Sequence, residues 1–254
     1  LTVKAVFGLF PAVSDGDDVK VLSGWGKGNA DSRIYAGSKV TQAVFHFLRN
    51  QEPKEKGSPN LSLSDYIAPE STGLIDSIGA FAVAVAFNEQ AFDKYKSEAF
   101  GKSGEDDYSI IMIRILSDRI AEAAAEWLHE KIRKEYWGYA AKEKFSVDDI
   151  LRQKYTGIRP APGYPACPDH TEKRTIFDIL EAERLSGVEL TENFAMVPPA
   201  SVSGYIFSHP ASAYFNIGKI GSDQLKDYAM RKKMTLEEAA RWLSQSVIKI
   251  FNIK

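Results

Sequence analysis

GIRPAPGYPACPDHTEK, from Gly157 to Lys173, packs Pro160, Pro162, Pro165 and Pro168 into nine residues, with Gly163 between the second and third. Each proline fixes φ near −65°, removes a backbone donor and pushes the residue before it toward extended geometry. The stretch is therefore neither a helix interior nor a central strand but a stiff, extended loop. Such a loop loses little ordering entropy when something docks on it. Gly163 permits a close approach to the backbone or a positive φ. Arg159 and Tyr164 flank the tightest part as R-x-x-x-G-Y. An arginine fork takes a carboxylate through two parallel hydrogen bonds, and a tyrosine offers a flat apolar face with a polar tip.

Working outward from the loop, Asp169 and Glu172 have capping-box spacing, which predicts a helix to about Leu185 with Gly187 ending it. On the other side, Ser146 and Asp149 open a short helix through about Lys154. Before that lies the longest periodic segment, about Tyr108 to Tyr136. Ile113, Leu116, Ile120, Ala124, Trp127 and Leu128 recur there at helical spacing and predict one apolar stripe. Asp106 and Asp107 at its start and Lys131, Arg133 and Lys134 near its end suit the helix macrodipole.

The rest is mixed. Residues 1–22 read as strand, turn and strand, with Pro11 and Ser14 to Asp18 supplying the turn. Residues 23–37 read as loop, and Val40 to Arg49 as a helix or a buried strand. Gln51 to Asn60 is a polar, mobile tip, and Leu61 to Pro69 turns into a structured loop. Gly79 to Ala86 is a continuous small-apolar run, read as a strand buried on both faces, and Glu89 to Phe100 reads as helix. Leu190 to Val197, Val202 to Phe207 and Tyr214 to Ile220 read as strands. Two helices close the chain, about Ser222 to Lys232 and Thr235 to Ile248, the second announced by a capping box from Thr235 to Glu238. Without a regular βαβ rhythm this argues an α+β fold. The expectation is a single domain over 1–254: a mostly antiparallel twisted sheet flanked by helices, including one long amphipathic helix and two C-terminal helices.

Composition narrows the function classes. The chain has 254 residues, 44% hydrophobic and 26% charged, with a formal net charge of −2. These are ordinary values for a globular protein and make no electrostatic case for nucleic acid. The longest apolar run, Ile78 to Phe87, is about half a membrane span. A single cysteine, Cys167, excludes an intrachain disulfide and fits a reducing, cytoplasmic setting. Cys167 and His170 make a C-x-x-H pair without a second cluster, so a zinc site is not expected. No base accompanies Cys167 as a nucleophile, and His129 reads as a surface or half-buried structural residue.

The proline loop closely resembles the AdoMet-binding loop of the activation (reactivation) domain of cobalamin-dependent methionine synthase. The resemblance runs through the chain in order: GLFPA (Gly8 to Ala12), LSDYIAP (Leu63 to Pro69), GAFAV (Gly79 to Val83), DDYSIIM (Asp106 to Met112), WGYA (Trp137 to Ala140), ASVSG (Ala200 to Gly204) and HP-x-x-x-YF-x-x-GKI (His209 to Ile220). It implies that Arg159 holds the carboxylate of AdoMet, that Ala161 and Gly163 offer backbone groups, and that Tyr164 walls the site. Tyr214 and Phe215 would meet the adenosyl part. Asp118, Glu122 and Glu126 share one face of the long helix, which is ordinarily a solvated surface; the resemblance implies that Asp118 and Glu122, and secondarily Glu89, face a neighbouring cobalamin-binding domain.

The resemblance further implies a role in reductive methylation. Cob(II)alamin on the neighbouring domain returns to methylcobalamin with a methyl group from AdoMet and an electron from flavodoxin or a flavodoxin-like reductase. No catalytic dyad is needed, because the sulfonium is already activated and the domain supplies positioning. The family's helical portion before GLFPA, with an acidic residue that helps hold AdoMet, is expected to lie outside this chain. Position 153 is Gln153 where some relatives carry an acid. Two other classes remain open from the residues: a free-standing AdoMet-dependent small-molecule methyltransferase, and an interaction domain without competent AdoMet binding.

Overall fold

The computed structural model describes residues 1–23, 40–55, 57–86 and 107–248. The sequence expectations for residues 24–37 and for a helix over Glu89 to Phe100, together with Glu89 as a site residue, lie outside the described residues. The centre is a five-stranded sheet in the order β3-β2-β1-β4-β7. Its strands are β1 (Thr2–Asp15), β2 (Asp18–Leu22), β3 (Thr41–His46), β4 (Asp76–Ala86) and β7 (Ser201–Ile206). Every ladder in it is antiparallel. The fold is a single α+β domain, as expected.

β4 shows why the sheet is covered on both sides. Ala80, Ala82 and Ala84 face one cluster with Ile176, Phe177, Leu180 and Tyr205. The alternate residues Phe81 and Val83 face another with Ala125, Leu128, Ile132 and Ile206. A strand between two apolar layers reads as an unbroken hydrophobic run because both of its faces are dry. Helices α3 (Glu172–Leu180) and α4 (Ala182–Ser186) cover the first face. The long helix α1 (Asp107–Lys131) covers the second and continues as a π-helical turn, Ile132–Tyr136. There Trp137 N–H donates to the Ile132 carbonyl at 2.9 Å, the i→i−5 bond of that geometry.

The remaining elements are α2 (Val147–Leu151), the two-stranded β5 (Glu189–Leu190) and β6 (Met196–Val197), α5 (Ser222–Lys232) and α6 (Leu236–Trp242). The last two enclose a satellite core of Leu225, Tyr228 and Leu243 with Ile217, Ile220 and Leu48. The capping box at Ser146 and Asp149 forms as expected, with Asp149 N–H donating to Ser146 Oγ at 3.2 Å.

Several local expectations need correction. Pro11 lies inside β1 rather than in the turn; the ladder to β2 begins only at Ala12, so its missing donor breaks no bond on that side. Val40 to Arg49 resolves into the strand β3. Gln51, expected in a mobile tip, is tied down by Asp223, and its Oε1 accepts from Gly221 N–H at 2.7 Å. The buried side of α1 matches the expected stripe only in part: Leu128 is buried and Ile120 and Ala124 pack on the core, but Ser117, Ala121, Ala125 and Ile132 are also buried, while Leu116 and Trp127 are 49% and 57% exposed. Small residues at Ser117, Ala121 and Ala125 let the helix lie close on the sheet beside Leu128 and Ile132, while Leu116 and Trp127 point away.

Asp169 does not cap α3. Its carboxylate accepts from Thr171 N–H and Oγ at 2.8 and 2.7 Å, an Asx-type turn one step earlier. The helix that follows breaks at Glu181, where φ is 49°, before Gly187 ends it. The strand expected over Leu190 to Val197 shrinks to the two-residue pieces β5 and β6. Tyr214 to Ile220 forms no strand but an extended run held by single contacts, such as Ile217 N–H to the Pro165 carbonyl at 2.9 Å. The final helix stops at Trp242, short of Ile248.

Candidate functional site

The proline loop is laid on the outer edge of β7. Ile158 and Phe207 exchange both backbone bonds at 3.0 Å, and Tyr205 N–H donates to the Pro160 carbonyl at 2.9 Å. This close docking depends on Gly204, where an added Cβ would come within 2.5 Å of the Pro160 oxygen. Beyond it the loop closes on itself: Gly163 N–H donates to the Cys167 carbonyl at 2.7 Å and Cys167 N–H to the Tyr164 carbonyl at 2.9 Å. Four prolines have removed the donors that would otherwise need partners here.

Between this loop, α1 and the run after Phe207 lies a cavity of about 360 Å³. Arg159, Ala161, Tyr164, Tyr214 and Phe215 all line it, and so does Glu122 from α1. Tyr214 and Phe215 face it together because their backbone is not a strand, so adjacent side chains need not alternate. Gly163 lies on the other side of the loop. It lines a second cavity of about 580 Å³ with His170 and Trp242, and its N–H is engaged by Cys167. Asp118 is exposed one turn before Glu122 on α1 and does not line the first cavity.

Arg159 is held at the back of the first cavity by Tyr214, an expected site residue, and by Glu126, Tyr155 and His129, which were not expected in the ligand site. Its backbone N–H donates to Tyr214 Oη at 3.0 Å. Its Nη2 pairs with Glu126 Oε2 at 2.8 Å, and its Nη1 donates to Tyr155 Oη at 2.8 Å. Burial works against the guanidinium charge, but Glu126 together with Tyr155 and Tyr214 outweighs it, and the pKa rises. His129 is buried, not at the surface. Burial, then Arg133 and Arg159, push its pKa well down, so it is neutral and can accept from Arg159 Nη1 at 3.4 Å. The proton then sits on Nε2, facing Tyr139 Oη at 3.3 Å.

Behind this group Arg133, 1% exposed, donates from Nε to Glu143 Oε2 at 3.2 Å and stacks 4.0 Å from the Tyr155 ring centre. Glu126, His129 and Arg133 stand at i, i+3 and i+7 on α1. That spacing of three polar residues on one helical face was the available signal.

The loop's far end is fixed by a buried ionic cluster. Lys232 Nζ reaches Asp169 Oδ2 at 3.0 Å and Glu172 Oε1 at 2.7 Å, and Tyr228 Oη donates to Asp169 at 2.7 Å. Burial opposes ionisation of Asp169, but Lys232 with the Tyr228 and Thr171 hydrogen bonds prevails, and its pKa is lowered. Cys167 is fully buried beside this cluster, and burial pushes its thiol pKa well up. No group of three or more His, Cys, Asp or Glu among the described residues could hold a metal ion.

Chemically, the first cavity combines a fixed cation, aromatic walls and one carboxylate. A fixed guanidinium suits a carboxylate, aromatic faces suit a purine, and a carboxylate suits a nearby positive centre. Comparison with known proteins identifies the family. The chain is similar to the MetH reactivation domain, whose crystal structure is bound to AdoHcy, with 45% identity and a TM-score of 0.82 over 96% of this chain and 70% of that one. Residues 1–233 match the family described as the activation domain of vitamin B12-dependent methionine synthase. On the strength of that match the chain belongs to the activation domains of B12-dependent methionine synthase.

Proposed function

We propose that this domain binds AdoMet in the first cavity and presents its methyl group to cobalamin on a neighbouring domain, with flavodoxin or a flavodoxin-like reductase as electron donor. The observation that carries the reading is the convergence of Arg159, Ala161, Tyr164, Tyr214 and Phe215 on one cavity of about 360 Å³, within the range of about 300–1,000 Å³ usual for small-molecule sites. The related MetH domain is bound to AdoHcy, which favours ligand binding over a purely docking role.

AdoMet supplies a methyl group already activated by its sulfonium. Arg159 grips the ligand's carboxylate, and Tyr155 and His129 keep the guanidinium from turning. Tyr214 and Phe215 take the adenosyl part, and Tyr164 closes the outer wall against water. Ala161 lends its backbone, while Gly163 shapes the loop from behind. Glu122, on the α1 wall, contributes negative charge to the site, and Asp118, exposed one turn away, faces the cobalamin-binding partner. The contribution to rate is orientation of the donor rather than proton transfer.

Calorimetric titration with AdoMet tests this. Arg159→Ala is expected to weaken binding about a hundredfold, the worth of a charge-assisted carboxylate contact. Unchanged affinity in that variant would contradict the assignment.

A further inference from the structure

Glu126 stands between two arginines and satisfies only one. Its Oε2 is 2.8 Å from Arg159 Nη2, while its Oε1 is buried without a hydrogen-bond partner. Arg133 Nη1 is also buried and without a partner, and these two orphan atoms lie 3.9 Å apart. A buried donor and acceptor left that far apart each forfeit a hydrogen bond of the charged, stronger kind. Closing the gap needs a movement of only about 1 Å to reach normal hydrogen-bond distance. The contact with Arg159 holds Glu126 back from it.

We propose that Glu126 is an exchangeable counter-ion. When a ligand carboxylate takes Arg159, Glu126 moves to Arg133 and completes the pair left open there. In the free protein Glu126 neutralises Arg159, fixes its orientation and keeps other anions off it. In the complex the same carboxylate satisfies Arg133, which is almost fully buried and otherwise donates only to Glu143 among the described residues. Both arginines thus keep a partner in both states, so neither guanidinium is stranded in a poorly solvated place. Glu126 is a positioning residue here and touches no ligand in the bound state. The inference rests on Arg159 as the carboxylate anchor.

Two ligands separate the idea from its foundation: AdoHcy, and 5′-methylthioadenosine, which keeps the adenosine and thioether but lacks the amino-acid end. In calorimetry, Glu126→Gln removes the internal competitor, so AdoHcy is expected to bind about tenfold tighter with 5′-methylthioadenosine unchanged. Glu126→Asp keeps the charge but shortens the reach to Arg159. It is expected to move the two ligands' affinities in the same selective way, and it serves if the glutamine variant unfolds early in a melt. In a crystal of the wild-type complex the Glu126 Oε1 to Arg133 Nη1 distance should fall to about 2.9 Å. Weaker AdoHcy binding in both variants, or an equal change for both ligands, would overturn the exchange while leaving Arg159 as the anchor. Wild-type protein that binds AdoHcy no better than 5′-methylthioadenosine would overturn both.

Discussion

The His170 ring occupies the space that Gly163 leaves open: an added Cβ would come within 2.2 Å of it, at a φ of +96°. Either feature alone penalises a side chain, and together they leave no relaxed conformation for one. Gly163→Ala is therefore expected to cost about 2 kcal/mol or more, lowering the melting temperature by at least about 4 °C. A melt within about 1 °C of wild type would contradict that packing. Arg159 and Tyr164 could be picked out from the sequence because a rare, proline-dense motif surrounds them. Tyr155 could not, being an ordinary residue on its own, and Glu126 and His129 offered only their polar spacing on one face of α1. Only the fold brings the helix face of α1 against Arg159, and only there does the His129 ring become buried and neutral.

At the scale of elements, the proline loop behaves as a partial sixth strand. It takes the edge of β7 through the Ile158–Phe207 pair and the Pro160 carbonyl, and Gly204 is what lets it come so close. Gly204→Ala sets a methyl against the Pro160 oxygen and should push the loop off the edge. The expected result is a loss of AdoMet affinity of roughly tenfold, from a residue with no carboxylate contact, as positioning changes of about 1 Å can cause. Calorimetry showing full affinity would mean that the edge contact does not set the site. Prolines and caps were readable in advance because their effect is local. The run from Tyr214 to Ile220 was misread because apolar and aromatic residues alone do not create a pairing edge, and here the chain meets Pro165 and Val247 only singly. The stripe on α1 was misread in part because small residues, Ser117, Ala121 and Ala125, meet the sheet alongside Leu128 and Ile132.

For the whole molecule, the Lys232–Asp169–Glu172 cluster joins the C-terminal helices to the start of α3 and so to the loop. Removing one member of a buried ion pair leaves an uncompensated charge, at a cost of about 3–5 kcal/mol. Lys232→Met is expected to lower the melting temperature at pH 7 by about 10 °C; a fall under about 2 °C would contradict the role. The pKa of Asp169 is lowered in the fold. Its contribution is therefore present above the unfolded carboxylate value of about 3.9 and disappears as pH falls through the lower, folded one. The Lys232 pKa is raised despite burial, chiefly by Glu172 and Asp169. That contribution is complete below about pH 10.4 and is lost as pH rises through the folded value. The melt of wild type should accordingly drop at both extremes. Asp118 is exposed on α1 and does not line the ligand cavity, and under the proposal it meets the partner domain rather than the ligand. In the full enzyme Asp118→Asn should slow reactivation several-fold without changing AdoMet affinity, and a matched loss of affinity would place Asp118 in the ligand site instead.

The central claim is that the cavity between the proline loop and α1 holds the amino-acid end of AdoMet on Arg159. A crystal structure of this chain with AdoHcy tests it most directly. The expected result is the ligand carboxylate within hydrogen-bond distance of the Arg159 guanidinium, with the adenine against Tyr214 or Phe215. Finding the ligand instead in the second cavity beside His170 and Trp242, with Arg159 still paired to Glu126, would contradict the account.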